Sequence, residues 1–126
     1  MKTGAQFILE QLGANGVEII FASPIAVMAP FWEAIAKRSP EAVPRYYRCR
    51  HEVLAVALAS GYYKATGKQA VVFLPTSLGV QNAGLPLRTA LHERTPMTVI
   101  SPDTLSYGEN ERTDPGPEWP SLQVGS

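Results

Sequence analysis

The sequence predicts an α/β domain: an open parallel sheet with helices on both faces. Three observations carry that expectation. The apolar runs VEIIF, AVVFL and MTVIS show little alternation, the pattern of strands covered on both sides. Stretches with helical periodicity or small-residue composition lie between them, and the connections are short. At 126 residues the chain is long enough for one domain with a core and too short for two ordinary ones.

The elements follow in order. Residues 3 to 14, TGAQFILEQLGA, place Phe7, Ile8, Leu9 and Leu12 in one arc, with Thr3 as N-cap and Gly13 or Gly16 near the stop. VEIIF, 17 to 21, is the first strand. A turn at Ser23 and Pro24 leads to a second helix over Met28 to Lys37, with Pro30 tolerated in its first turn. PRYYRC, 44 to 49, is a short strand; the long helix runs from Glu52 to Thr66 and stops at Gly67, which suits a left-handed cap. AVVFL, 70 to 74, is followed by a loop PTSLG, a helix over 80 to 93 that Pro86 kinks, and the strand MTVIS, 97 to 101. After Ser101 the texture changes, so residues 1 to 105 are expected to form the α/β domain and 106 to 126 a proline-rich irregular segment.

Eleven basic and eleven acidic residues balance, which excludes a nucleic-acid footprint and a polybasic membrane patch. The N-terminus lacks a signal peptide's apolar core and no apolar run approaches about 18 residues, so a soluble cytoplasmic protein is expected. The low share of charge hints that another chain covers part of the surface. Cys49, the single cysteine, reads as a core or interface thiol.

In an open parallel sheet, ligands bind beyond the carboxyl ends of the strands. ASPIA, CRHE and PTSLGVQN converge there. No phosphate-loop signature, dinucleotide fingerprint or nucleophile elbow is present, and His51 and His92 lack metal-ligand spacing, so no metal is expected on this chain. Attention falls on Glu52, at the head of the apolar, small-residue helix VLAVALASG, which should be packed closely on most sides. Either the glutamate simply complements the helix macrodipole, worth about 0.3–1 kcal/mol, or its carboxyl group is used. Burial would raise its pKa and the helix terminus and arginines would lower it, an opposition that sequence leaves open. His51 reads as a neighbour that caps or packs, and His92 and Glu93 as a solvated helix end.

The segments GAQFILEQLGANGVEIIFASP, RHEVLAVALASGYYKATGKQAVVFL and GVQNAGLPLRTALHERTPMTVIS, in that order, resemble the N-terminal pyrimidine-binding (PYR) domain of thiamine-diphosphate-dependent enzymes. Acetolactate synthase, benzoylformate decarboxylase and related 2-oxo-acid decarboxylases look nearest. The resemblance covers residues 4 to 105. It implies that Glu52 hydrogen-bonds the cofactor's aminopyrimidine and favours its imino tautomer, which then deprotonates the thiazolium to the ylid that attacks a small 2-oxo acid. It also implies that Pro24 and Ile25 sit by the pyrimidine, Ile25 replacing a frequent glycine, and that Gly79 and Asn82 form the turn and helix start beside the cofactor. Gly79 reads equally as a loop glycine and Asn82 as a helix-terminal polar residue. Ala26, Met28, Pro75 and Ser77 fall where the substrate pocket is expected, with packing an equal reading for Met28 and Ser77. Pro75 stands where several relatives carry a substrate-facing histidine, so this loop offers no side-chain acid or base.

The family holds the cofactor's diphosphate through Mg2+ in a second domain with a GDG sequence, and no GDG occurs here. The resemblance therefore implies thiamine diphosphate shared with a partner chain or domain that carries the diphosphate-binding site and the magnesium, in a hetero- or homo-oligomer. The family domain also continues with a further helix and strand where this chain stops at VGS, so the chain is expected to be one subunit of a split enzyme or a piece of a longer one. A noncatalytic assembly or regulatory module retaining the fold is the alternative.

Overall fold

A computed structural model describes residues 1–102, and the expected irregular segment, with the last three residues of the expected domain, lies outside them. Helix α1 spans Gly4–Ala14. Thr3 starts it with a reciprocal box, its hydroxyl accepting from the Gln6 backbone while the Gln6 side chain accepts from the Thr3 backbone. Strand β1 (Ile19–Ala22) leads through a single turn of tighter helix, Ala26–Met28, into α2 (Ala29–Ala36). Pro30 stands at the start of α2, where its missing N–H removes no helical bond. Strand β2 (Arg45–Arg48) precedes α3 (Glu52–Thr66), which ends at Gly67 with φ +71°, a left-handed cap that glycine adopts freely. Then come β3 (Ala70–Phe73), α4 (Thr76–Asn82), α5 (Gly84–His92) and β4 (Met97–Ile100).

All strand pairs are parallel and the sheet order is β2-β1-β3-β4. Side chains alternate across it, so two cores form. Ile20, Ala22, Val71 and Phe73 face α1 and α2, meeting Ala5, Leu9, Met28 and Ala34. Phe21, Ala70, Val72 and Leu74 face α3 and the α4–α5 junction, meeting Ala55, Val56, Ala59 and Ala83. Leu9, Ile20 and Phe73 are fully buried, each worth about 1.5–3 kcal/mol of transfer free energy. The chain leaves β1 toward β2 and then returns past β1 to β3. Between β1 and β3 the order reverses, and in such folds that is where the carboxyl ends open a crevice.

Two expectations are corrected. The segment PTSLG is not a loop before one long helix: helix begins directly at Thr76, α4 and α5 are separate, and the break is at Ala83. Thr76 makes the abrupt entry with φ +33°, and Pro86 occupies the third position of α5, before the first N–H that needs an intrahelical acceptor. Gly79 and Asn82 consequently lie inside and at the end of α4, not at a turn and helix start. Second, α3 is not packed on most sides. Ala55, Val56 and Ala59 are buried, but Val53, Leu54, Ala57 and Gly61 are exposed, because within the described residues only the sheet, α4 and α5 lie against this helix.

Candidate functional site

The site is built where α3 begins. The extended backbone of His51 lets its Nδ1 accept from the Val53 N–H at 3.2 Å, so His51 caps the helix. The next residue, Glu52, turns its carboxyl group toward the crevice with its side chain 13% exposed. Ser23, the first residue after β1 and itself buried, donates its hydroxyl to Glu52 Oε1 at 2.9 Å. Asn82, at the end of α4, offers its amide to Oε2 at 3.4 Å, and His51 Nδ1 lies 3.6 Å from the same oxygen. Three connections from three different strands thus converge on one carboxyl group. Burial raises the Glu52 pKa, but hydrogen bonds from its own backbone N–H, from Ser23 and from Asn82, with the adjoining His51 ring, outweigh it and hold the group below the ordinary glutamate value.

Gly79 is the closest-packed backbone position of the site. A methyl group there would lie 2.4 Å from Pro75 Cδ, 2.5 Å from Pro75 Cγ and 3.4 Å from Glu52 Cγ. Only hydrogen fits under the proline ring. Pro75, half-buried, caps α4 through backbone alone, and the Ser101 hydroxyl donates to the Thr76 carbonyl at 3.0 Å, tying the end of β4 to this entry. Ser77 has a buried Oγ with no hydrogen-bond partner. Pro24 and Ile25 are half-buried beyond β1, and the Ile25 carbonyl accepts from Trp32 Nε1 at 3.3 Å. Ala26 is exposed, whereas Met28, 1% exposed, is enclosed in the core with Leu9, Ile20 and Phe73, a packing position. Cys49 is buried in the core, and burial pushes its thiol up.

Glu52, Ser23, Pro75, Gly79 and Asn82 are therefore contiguous. Ser23 is the member that sequence reasoning passed over as a turn residue; its signal was position, immediately beyond the carboxyl end of a central strand. Among the described residues no group of three or more histidine, cysteine or acidic side chains is gathered as a metal site, and no helix is long and apolar enough to cross a membrane.

The family profile described as thiamine pyrophosphate enzyme, N-terminal TPP binding domain, matches residues 2–118. The chain belongs to this family. Its similarity to the acetolactate synthase large subunit of Haemophilus influenzae is 31% identity over 104 residues, covering 82% of this chain and 18% of that protein. For the acetolactate synthase large subunit of Lactococcus lactis subsp. lactis the figures are 34% over 99 residues, 79% and 17%. The chain thus spans less than a fifth of the length of these relatives. Among solved structures, the thiamine diphosphate-dependent 4-hydroxybenzoylformate decarboxylase of Rhodococcus jostii RHA1 superposes with a TM-score of 0.71 at 25% identity, covering 82% of this chain and 19% of that one.

The residues of this TPP-family domain fit the pyrimidine half of such a cofactor. A ring nitrogen needs a carboxyl group that is oriented, partly enclosed and reachable from one side. Glu52 is held by two side-chain donors and stays 13% exposed. Half-buried Pro24, Ile25 and Pro75 supply apolar surface around the crevice.

Proposed function

We propose that this domain supplies Glu52 as the cofactor-activating carboxyl group of a thiamine-diphosphate-dependent 2-oxo-acid decarboxylase or carboligase similar to acetolactate synthase. A partner chain or domain would hold the diphosphate and its Mg2+, since no GDG sequence occurs here. When bound, thiamine diphosphate supplies a thiazolium carbon nucleophile for the carbonyl of a small 2-oxo acid. The observation that carries the reading is the fixed, crevice-facing Glu52 carboxyl group, gripped by Ser23 on one oxygen and approached by Asn82 on the other.

Each contact has a consequence for proton handling. The Ser23 hydroxyl occupies Oε1, so Oε2, with the longer Asn82 contact and His51 Nδ1 at 3.6 Å, is the oxygen better able to share a proton with a ring nitrogen. In the open site the depressed pKa keeps Glu52 ionised at neutral pH. Enclosure of the site by the cofactor and a partner surface would remove the remaining water and raise that pKa, so that Glu52 Oε2 could hold or release a proton nearer neutrality. Pro24, Ile25 and Pro75 contribute by excluding water.

Glu52→Gln keeps the shape and cannot exchange a proton in this way. In the holoenzyme assembled with its partner, hydrogen–deuterium exchange at the cofactor's C2 should fall by about 100- to 10,000-fold. That corresponds to roughly 3–5 kcal/mol of activation free energy. Folding and cofactor occupancy should stay near those of the unsubstituted protein. Normal exchange in a fully loaded Glu52→Gln enzyme would return Glu52 to a helix-terminal role and favour the assembly-module reading.

A further inference from the structure

Beside the Glu52 centre, a cleft of about 540 Å³ is lined by Ser23, Pro24, Arg48, Cys49 and Arg50. Its size is within the range of small-molecule sites. Arg48 ends β2, the Cys49 N–H continues the ladder onto the Ala22 carbonyl at 2.7 Å, and the chain bends at Arg50. Cys49 turns inward, 2% exposed, while Arg48 and Arg50 on either side of it are exposed and line the cleft.

That pair has no carboxylate partner among the described residues. Among the described residues all four lysines are in ion pairs with glutamates, and Glu52 is engaged with Ser23 and Asn82. Neither Arg48 nor Arg50, like the other described arginines, takes part in any of those ion pairs; what sets these two apart is that they line one cleft. Two neighbouring guanidinium groups repel each other, and a planar oxyanion placed between them satisfies both forks. Ser23 sits in the cleft wall and also holds Glu52, so an anion in the cleft is one side chain away from the carboxyl group.

We infer that Arg48 and Arg50 form a subsite for the carboxylate of a small organic acid. The oxyanion chemistry comes from the cleft; the choice of carboxylate over phosphate rests on the 2-oxo-acid reading of the neighbouring site. The subsite orients an incoming acid by its charged end and leaves its carbonyl free toward the crevice.

Titration of the full 126-residue chain by 15N NMR, observing backbone and arginine Nε–H signals, tests this with three probes: pyruvate, inorganic phosphate and neutral hydroxyacetone. Pyruvate should bind saturably, with a dissociation constant on the order of millimolar, and shift the signals of Arg48, Cys49 and Arg50. Affinity should fall about tenfold or more in Arg48→Ala and Arg50→Ala, and should be partly kept in the Arg48→Lys, Arg50→Lys double variant, which retains charge without the fork. Glu52→Gln should still bind pyruvate, so loss of C2 exchange and loss of anion binding are separable failures. Binding of phosphate but not pyruvate would overturn the assignment of a carboxylate. Hydroxyacetone binding as well as pyruvate, or no saturable binding of any probe, would overturn the subsite itself.

Discussion

Gly79→Ala is the most direct probe of how the site is packed. In an open helical position, alanine is favoured over glycine by about 0.8–1 kcal/mol. Gly79 lies within α4, so that gain applies, but the added methyl group would stand 2.4 Å and 2.5 Å from two carbons of the Pro75 ring. Ordinary carbon–carbon contact begins near 3.5 Å, so the overlap is about 1 Å, against a ring that cannot rotate away. Overpacking of this kind costs about 1–3 kcal/mol, and a rigid partner places it at the upper end. Subtracting the helical gain leaves a net loss of about 2 kcal/mol. Gly61→Ala is the matched control, since Gly61 lies in α3 with nothing within 4 Å of where a methyl group would stand, and it should gain about 0.5–1 kcal/mol. Urea denaturation of both variants, compared at constant m-value, measures the two signs. Equal stability of Gly79→Ala and Gly61→Ala would refute the close approach of Pro75 to α4, and with it the reason for glycine at this position.

Three further substitutions test the surrounding geometry. Because the folded pKa of Glu52 is depressed, its ionised form contributes stability that is fully present above the unfolded glutamate pKa, about 4.3, and is lost as pH falls through the folded value. Thermal melts from pH 7 down to pH 3 should therefore show the unsubstituted chain losing its advantage over Glu52→Gln at the acid end, whereas a pH-independent difference would remove the hydrogen-bond account. Ala59, fully buried, and Ala57, exposed two residues earlier on α3, should respond oppositely to leucine. Ala59→Leu should cost about 1–3 kcal/mol in chemical denaturation, while Ala57→Leu should leave folding unchanged and weaken association only if a partner covers that face.

The strands and the α3 helix were legible because their signals are local and agree with one another. Continuous apolar runs, a capping residue at Thr3 and a terminal glycine at Gly67 each point to the element that forms, and α3 spans Glu52 to Thr66 as its small-residue composition and terminal glycine predict. The α4–α5 region was misread because its decisive feature is not local. A threonine at φ +33° has no propensity signature, and it is held there by the end of β3 on one side and by the Ser101 hydroxyl from β4 on the other. Pro86 drew attention as a breaker, yet at the third position of a helix it breaks nothing.

The outer face of α3 shows why composition overstated burial. Small residues along a helix signal close approach without saying whether the neighbour is the same chain. Here the sheet takes Ala55, Val56 and Ala59, and Val53, Leu54, Ala57 and Gly61 are left facing outward. The candidate site divides in the same way. Glu52 stood out because a carboxyl group at the head of an apolar helix is locally anomalous, but Ser23, its shortest side-chain hydrogen bond, is separated from it by 29 residues and occupies an unremarkable turn. What joins them is the parallel pairing of β1 with β2, which sets Ala22 opposite Arg48 and so brings the residue after β1 beside the start of α3. Such a partner can be reached from sequence only by first fixing strand order and register, then asking which polar side chains follow the carboxyl ends of the central strands.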